Sequence, residues 1–470
     1  MNHLDTTMKV PLLAHKPVTL DFAGGDLSSD AGLIPLALAD QKMQLTQRLA
    51  DAVGDPRDPR HTDHSMHDLF RERIYFIALG YEDCNDANAL RHDPLAKLAV
   101  GRAPEEYPLA GQSTLSRFEN TPTPQDLERI AQVLLDQFLQ RCGPSPERIV
   151  LDLDPFADEC HGHQQLSLFN GHYDCYCYLP LYLCGSVDGG VQYVIGALLR
   201  DGRAAPTQGA RLLLKYVIRA IRARYPNVEI IVRGDGSFGV PEMIRTCRHL
   251  KVRFCFGKPQ NSRLHALSER YQMQAAVAYS VTKRPHREYG EFMYQAGSWQ
   301  QEERTIVKAE VTQGKLNPRF VVTDLAAQEE RVDAGEAEWT AEKVYTFYCQ
   351  RGDPENRIKE FTVDLAANRL SCHEFRANQF RLLLHVAAYM LIQTVQAGLA
   401  GTELACAQAG TIRVKLLKVA ARVLVRCRVV RVELPTSYPW QGVWRKLVAF
   451  LQGILQGNAG KPPGYAPAAA

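Results

Sequence analysis

The sequence predicts an α/β protein: a mixed sheet flanked by helices, preceded by a helical N-terminal region and interrupted by a β-rich insertion. Three observations predict it. Apolar residues recur at spacings of three and four from Ala31 to about Cys142. Short apolar runs then alternate with helical periods between 148 and 256. A less regular stretch, 260–315, mixes aromatic and charged residues before the strand pattern returns at Arg319–Thr323.

Bulk properties exclude several classes. With 470 residues the chain can hold two to four domains at about 100–200 residues each. A hydrophobic fraction of 46% and a charged fraction of 23% suit a chain with a large core and argue against broad disorder. The net charge of +3 is too small to announce nucleic-acid binding, so any basic surface must come from local clustering. The twelve cysteines are scattered without a CxxC pair, as expected of reduced thiols in a cytoplasmic protein. The N-terminus has no basic segment followed by an apolar run, so no signal peptide is expected. The most apolar stretch, 382–399, carries His385, Gln393 and Gln396. It predicts a buried core helix, since a membrane span wants ~20 apolar residues with few polar ones.

Along the chain, residues 18–29 read as a short strand and a turn at Gly24-Gly25. Residues 1–143 form a helical region, with a boundary near Gly143. The run 148–154 is a buried strand ending in carboxylates, and 176–187 and 191–199 are two more strands joined at Asp188-Gly189-Gly190. A helix follows over 209–225, since Leu212, Leu213, Tyr216, Val217, Ala220 and Ile221 share a face. Then come a strand at 228–232, a helix at 241–250 and a strand at 252–256. Helices are expected near 340–351, 354–368 and 374–399. The core therefore comprises 144–259 and 316–400, around an insertion at 260–315. A basic C-terminal region spans 401–456, and the Gly/Pro/Ala-rich tail 457–470 reads as disordered.

Three carboxylates stand out. Asp154 ends the first core strand, and Asp235 lies just past another, between Gly234 and Gly236. Strand-end carboxylates can converge at one edge of an α/β sheet, where ligands usually bind, although such residues also cap turns and face solvent. Glycines beside Asp235 allow a tight turn and close approach of a phosphate or metal. Glu355 follows Asp353-Pro354, which reads as N-cap and first helical residue, and Lys359 is placed to pair with it.

Tyr348, Arg351 and Glu355 have the spacing of a known signature, with Arg three after Tyr and Glu four after Arg. The stretch resembles the tyrosine-arginine-glutamate-lysine signature of bacterial insertion-sequence transposases with a ribonuclease-H-like DDE core. Val150-Leu151-Asp152-Leu153-Asp154 with His161-Gly162-His163-Gln164, the run Tyr173 to Leu181, and Val232-Arg233-Gly234-Asp235 resemble the same family in the same order. The resemblance covers most of 20–430. It implies a ribonuclease-H-like fold in which Asp154, Asp235 and Glu355 hold two Mg²⁺ (or Mn²⁺) ions. Such a pair, ~3.5–4 Å apart, stabilises the attacking and leaving oxygens of a phosphodiester. It implies that Tyr348 and Arg351 position the DNA backbone. It also implies a double-stranded DNA partner with terminal inverted repeats, recognised by the N-terminal region, and a homodimer on DNA. The sequence departs from the family in places. Thr362 stands seven residues after Glu355, where the family has lysine, so Lys359 is the alternative. Pro155-Phe156 and Gly236-Ser237 replace the usual neighbours, and Asp152 is an alternative first ligand.

Two further groups carry possible chemistry. His161, His163, His172, Cys175 and Cys177 lie close together, but their spacing matches no standard zinc pattern, and strand packing is the expectation. Arg413, Lys415, Lys418, Arg422, Arg426, Arg428 and Arg431 punctuate an apolar segment. They either track phosphates or form a solvated helix face. The function expected is metal-dependent cleavage and strand transfer of insertion-sequence ends. The alternatives are a nuclease of the same fold that does not join ends and a non-catalytic DNA-binding derivative.

Overall fold

Alternation along two neighbouring strands sets the architecture. The computed structural model describes residues 8–13, 16–326 and 339–453. The chain divides into two units, one built on Asn120–Met390 and one on Met1–Glu119 with Leu391–Gly457. In the first of these, β1 (Arg148–Pro155), β2 (Leu181–Val187), β3 (Tyr193–Leu198), β4 (Glu229–Gly234), β5 (Arg253–Lys258), β6 (His286–Tyr294), β7 (Glu303–Thr312) and β8 (Arg319–Thr323) form one sheet. Their order is β6-β7-β8-β5-β4-β1-β2-β3, and the short strand Lys315–Leu316 pairs with β7. β1, β4 and β5 are parallel, and β2 and β3 add a hairpin whose first strand pairs antiparallel with β1. The hairpin turn forms as expected, with Asp188 and Gly189 at positive φ.

Because side chains alternate across a strand, odd and even positions of β1 meet different layers. Ile149, Leu151 and Leu153 pack with Ile230 and Val232 against α1 (Pro124–Arg141), α2 (Ala210–Arg224) and α3 (Pro241–His249). Val150 and Ile231 face the other way, with Cys255, Ile306 and Val321, against α4 (Ala341–Cys349). Two apolar layers therefore sandwich the sheet. Asp152 and Asp154 take their places in the even row of β1, on the α4 side, with Arg233 of β4 beside Asp152.

Several expectations need correction. The strand expected over 176–187 is two. Cys175–Tyr178 joins Asp158–Glu159 and Leu168–Asn170 in a small separate sheet, and only Leu181 onward enters the main one. Pro180 stands at the break, where its missing N–H cannot serve a central ladder. Residues 260–315 are not simply β-rich. They hold helices Ser262–Leu267 and Glu269–Thr282 before the β6–β7 hairpin, and that hairpin extends the core sheet through β8. Helix α1, expected with the N-terminal helices, packs Leu135 and Phe138 on the sheet. Helix α5 (Gly352–Lys359) begins before the predicted cap: Arg351 is the N-cap and Pro354 the third helical residue. Proline fits there because the first four N–H groups of a helix have no intrahelical acceptor. The helix then passes into a π-turn at Glu360–Asp364. Finally, the basic segment from Thr411 is not one helix. After a π-turn at Arg413–Leu417 it becomes strand Ala421–Arg426, paired with Val429–Glu433 and Leu27–Ser28. Five valines in 423–432 favour a strand over a helix.

The other unit is mainly helical, with Leu33–Met43, Leu45–Ala52, Met66–Leu79, Pro94–Val100, Gln112–Asn120 and Gln441–Leu451 its larger helices. Helix Met66–Leu79 starts at a capping box formed by Ser65 and Asp68. Its Arg73 is buried against Glu119 at 2.6 Å and the carbonyls of Tyr81 and Glu82. Helix α6 (Phe375–Ala397), most of which belongs to the first unit, is buried from Arg381 to Gln393. No helix of the described residues is long and apolar enough to cross a membrane. The twelve cysteines form no disulfide. The tail expected to be disordered, 457–470, lies outside the described residues.

Candidate active site

Asp152 and Arg233 are direct neighbours across β1 and β4. Both side chains are 1% exposed, and the guanidinium grips the carboxylate through Nε and Nη2, each at 2.8 Å. Its Nη1 donates to the Phe347 carbonyl at 2.6 Å, in the last turn of α4. One buried arginine thus fixes the register of β1 on β4 and ties both to the end of the helix that carries Tyr348. Asp152, the alternative first ligand, is consumed by this pair. Arg233 is the residue that sequence reasoning missed. Its signal was an arginine in an apolar strand, two residues before a candidate carboxylate, with an aspartate at the same offset in another strand.

Two residues beyond each partner of that pair stand Asp154 and Asp235. Arg351 Nη2 donates to Asp154 Oδ1 at 2.9 Å, and Arg351 Nη1 lies 3.4 Å from Glu355 Oε1. Asp154 and Glu355, 201 residues apart in sequence, therefore share one guanidinium. Glu355 turns back to Arg351, not forward to Lys359 as its spacing predicted. Arg351 is 7% exposed and Asp154 18%, while Glu355 is 55% exposed and has room to move. Arg351 Nε is buried with no hydrogen-bond partner among the described residues.

Asp235 sits in the turn after β4, where its Oδ1 accepts from the N–H and hydroxyl of Ser237. Tyr348 and the Asp235 turn meet over Gly257 of β5. A Cβ there would come 2.5 Å from the Tyr348 hydroxyl, 2.9 Å from Gly236 N and 3.1 Å from the Asp235 carbonyl carbon. Only glycine lets these three segments close on one another.

The electrostatics show that the acids sense one another. Burial pushes the Asp154 carboxyl up to about 7; Arg351 opposes the rise, and Glu355, Asp235 and Asp152 add to it. Burial alone would lower the Arg351 guanidinium, but Asp154, Tyr348 and Glu355 carry it above its ordinary value. Burial also raises the Tyr348 phenol.

Among the described residues, no group of three or more His, Cys, Asp or Glu side chains converges closely enough to hold a metal ion. The donor chemistry nonetheless fits a hard cation, which prefers carboxylate oxygens such as those of Asp154, Asp235 and Glu355. A carboxyl raised by burial, with neighbouring acids adding to the rise, is one that a divalent cation would stabilise. Arg351 supplies part of that positive charge in this structure.

The remaining predicted residues divide. Lys359 is exposed on α5. Arg413, Lys415, Lys418 and Arg422 belong to the other unit. Arg413 donates to the Ala78 carbonyl, Lys415 lies 4.9 Å over the Trp440 ring, and Lys418 pairs with Asp30 at 2.8 Å beside Tyr81. These contacts give all three a packing role. Arg422 is exposed and faces Glu433 across its hairpin. Cys175 and Cys177 share a face of the small sheet and pack with Leu179 and Ala204, as strand packing predicted.

No curated protein matches the chain. Residues 10–456, which run through both units, match the family described as Transposase DDE domain group 1. The strand-end aspartates and the Tyr348–Glu355 stretch are thus parts of a nearly full-length match, and the chain belongs to the DDE transposase family of group 1.

Proposed function

We propose that this transposase cuts DNA at the ends of an insertion sequence and joins the freed ends to new DNA, with Asp154, Asp235 and Glu355 as ligands of two divalent cations, Mg²⁺ or Mn²⁺. The observation that carries the reading is the double ion pair of Arg351, which draws Asp154 and Glu355 to one point at the sheet end where Asp235 also lies. The β2–β3 hairpin beside β1, with parallel β4 and β5 on its other side, supports a ribonuclease-H-like core. When bound, the cations would stabilise charge on the attacking and leaving oxygens of the phosphodiester.

The chain's own residues do the positioning. Arg351 presents a fork that fits a phosphate as well as a carboxylate, and its Nε is an unused donor. Tyr348 stands against the Asp235 turn and orients the strand that enters there. Lys359, on the exposed side of α5 with Glu355, contacts the backbone in place of the family's later lysine. The substrate is double-stranded DNA with terminal inverted repeats, bound by a homodimer that holds two ends.

The test is direct. Duplexes bearing the ends that flank this gene are incubated with Mg²⁺ or Mn²⁺ and the nicks mapped. Asp235→Ala and Glu355→Ala should each lower cleavage at least a thousandfold and leave DNA affinity within about threefold. Full cleavage by either variant refutes the ligand assignment. Cleavage without joined products would make the protein a nuclease, and Mg²⁺-indifferent binding without cleavage a DNA-binding derivative.

A further inference from the structure

The face of the sheet opposite α4 carries two adjoining grooves. One, of about 540 Å³, runs between α1 and α2 and is lined by Gln132, Leu212, Lys215, Tyr216 and Arg219. The second, of about 230 Å³, runs between α2 and α3 and is lined by Arg211, Lys215, Arg245 and His249, with Glu242 as the acid among them. Lys215 belongs to both. Arg211, Lys215 and Arg219 follow at every fourth residue and so form a stripe along α2; Arg245 and His249 do the same on α3. Among the described residues, none of these five has a hydrogen-bond or ion-pair partner. Other cations of the same helices are engaged. Arg222 donates to the carbonyls of Pro226, Val228 and Lys251, and Arg248 pairs with Glu303. The molecule ties down the arginines it uses for packing and leaves a row of basic side chains without partners at the surface.

The row is oriented by the fold. Leu198, at the end of β3, pairs with Leu181, which pairs with Pro155 beside Asp154. Helix α2 begins next to Leu198, against which Gly209 packs. Helix α3 begins just after the Asp235 turn. Both helices therefore start at the sheet end of the acidic site and run away from it. At ~1.5 Å per residue, Arg211 to Arg219 spans ~12 Å, close to the axial rise of three to four base pairs at ~3.4 Å each.

Resting on the DNA-cleaving reading of this unit, we propose that the α2–α3 face is a track for the phosphate backbone of the duplex as it leaves the active site. It contributes sequence-independent affinity through Arg211, Lys215, Arg219, Arg245 and His249. The full-length protein is titrated against duplex DNA of unrelated sequence over a range of NaCl. Lys215→Glu/Arg245→Glu is compared with Arg284→Glu/Lys315→Glu, an equal charge change on exposed residues elsewhere. Each lost phosphate contact removes ~0.9 from the slope of log K against log salt, so the first variant should lose about 2 from it and at least tenfold in affinity. The control should stay near the wild type. If both variants behave alike, the track is overturned, and an acidic protein partner becomes the better occupant. If the reversed charges unfold the chain, Lys215→Gln/Arg245→Gln reads the same slope. Cleavage by the wild type with no change on reversal sinks the track alone; a lowered slope without cleavage by the wild type sinks the catalytic reading alone.

Discussion

Asp154 is ionised at a cost that depends on pH. Its folded value, about 7, is above the 3.8 expected of an exposed aspartate, so between those values the folded chain binds a proton that the unfolded chain releases. Stability from this group is therefore full below about pH 4, declines as pH rises toward 7 and is flat above it. Asp154→Asn cannot ionise and escapes that decline. In urea melts the variant should gain about 2–4 kcal/mol over the wild type at pH 8, an amount discounted for residual solvent access, and nothing at pH 4. A difference independent of pH would show that neighbouring charges, not the Asp154 proton, govern the site. Arg233 belongs to the same scale. Arg233→Leu leaves Asp152 buried without its counter-charge and should cost about 3–5 kcal/mol. Asp152→Leu/Arg233→Leu should regain most of that stability. Cleavage should not return, because the Phe347 carbonyl still lacks the donor that holds the end of α4. Recovery of activity by the double variant would reduce the pair to packing.

At the scale of elements, the π-turn after α5 explains a departure that the sequence left open. Thr362, where the signature that the sequence resembles would place lysine, is 1% exposed, and its hydroxyl donates to the Ile358 carbonyl at 2.8 Å. Around it, Glu360 is held by Arg357 and by the Tyr389 hydroxyl at 3.0 Å. From Glu355 on, the exposed residues of this stretch are Glu355, Asn356, Lys359 and Val363. Thr362→Lys should therefore destabilise the protein by several kcal/mol in a thermal melt, since the neighbouring carboxylate of Glu360 is already engaged by Arg357 and Tyr389 and leaves a buried ammonium uncompensated. Lys359→Ala should leave the melt unchanged and weaken DNA binding severalfold. The reverse pattern would return the signature role to position 362. No sequence pattern revealed the π-turn, because one extra residue per turn changes helical phase without changing composition. The strands β1 and β4 were legible for the opposite reason: their apolar runs end abruptly in carboxylates. The break at Pro180 was legible in principle, since the missing N–H was there to read. The strand at Ala421–Arg426 was hidden by basic residues at helix-like intervals, and its valines were the better guide.

For the whole molecule, what the sequence showed was a list of acids; what it withheld was how they are kept apart. Asp154 and Glu355 meet through Arg351, a residue assigned to DNA, and that contact became visible only once β1 and α5 were placed side by side. The net charge of +3 was equally uninformative, because cations tied to carbonyls and cations left open count alike in a sum. If the acidic site binds a cation as proposed, that binding would couple to the stability of the folded chain. A ligand bound only by the folded state stabilises it by about 2.7 kcal/mol at a hundred times its dissociation constant. Binding at Asp154 must displace the proton that the folded chain retains below about pH 7, so affinity falls as pH drops. Mg²⁺ should then raise the melting temperature more at pH 8 than at pH 6, against NaCl of equal ionic strength. Both shifts should vanish in Asp154→Asn/Asp235→Asn, which keeps the side-chain shapes and removes the charges. An equal Mg²⁺ shift at the two pH values, or one that survives in the double variant, would place the cation away from these carboxylates and leave Arg351 as their permanent counter-charge.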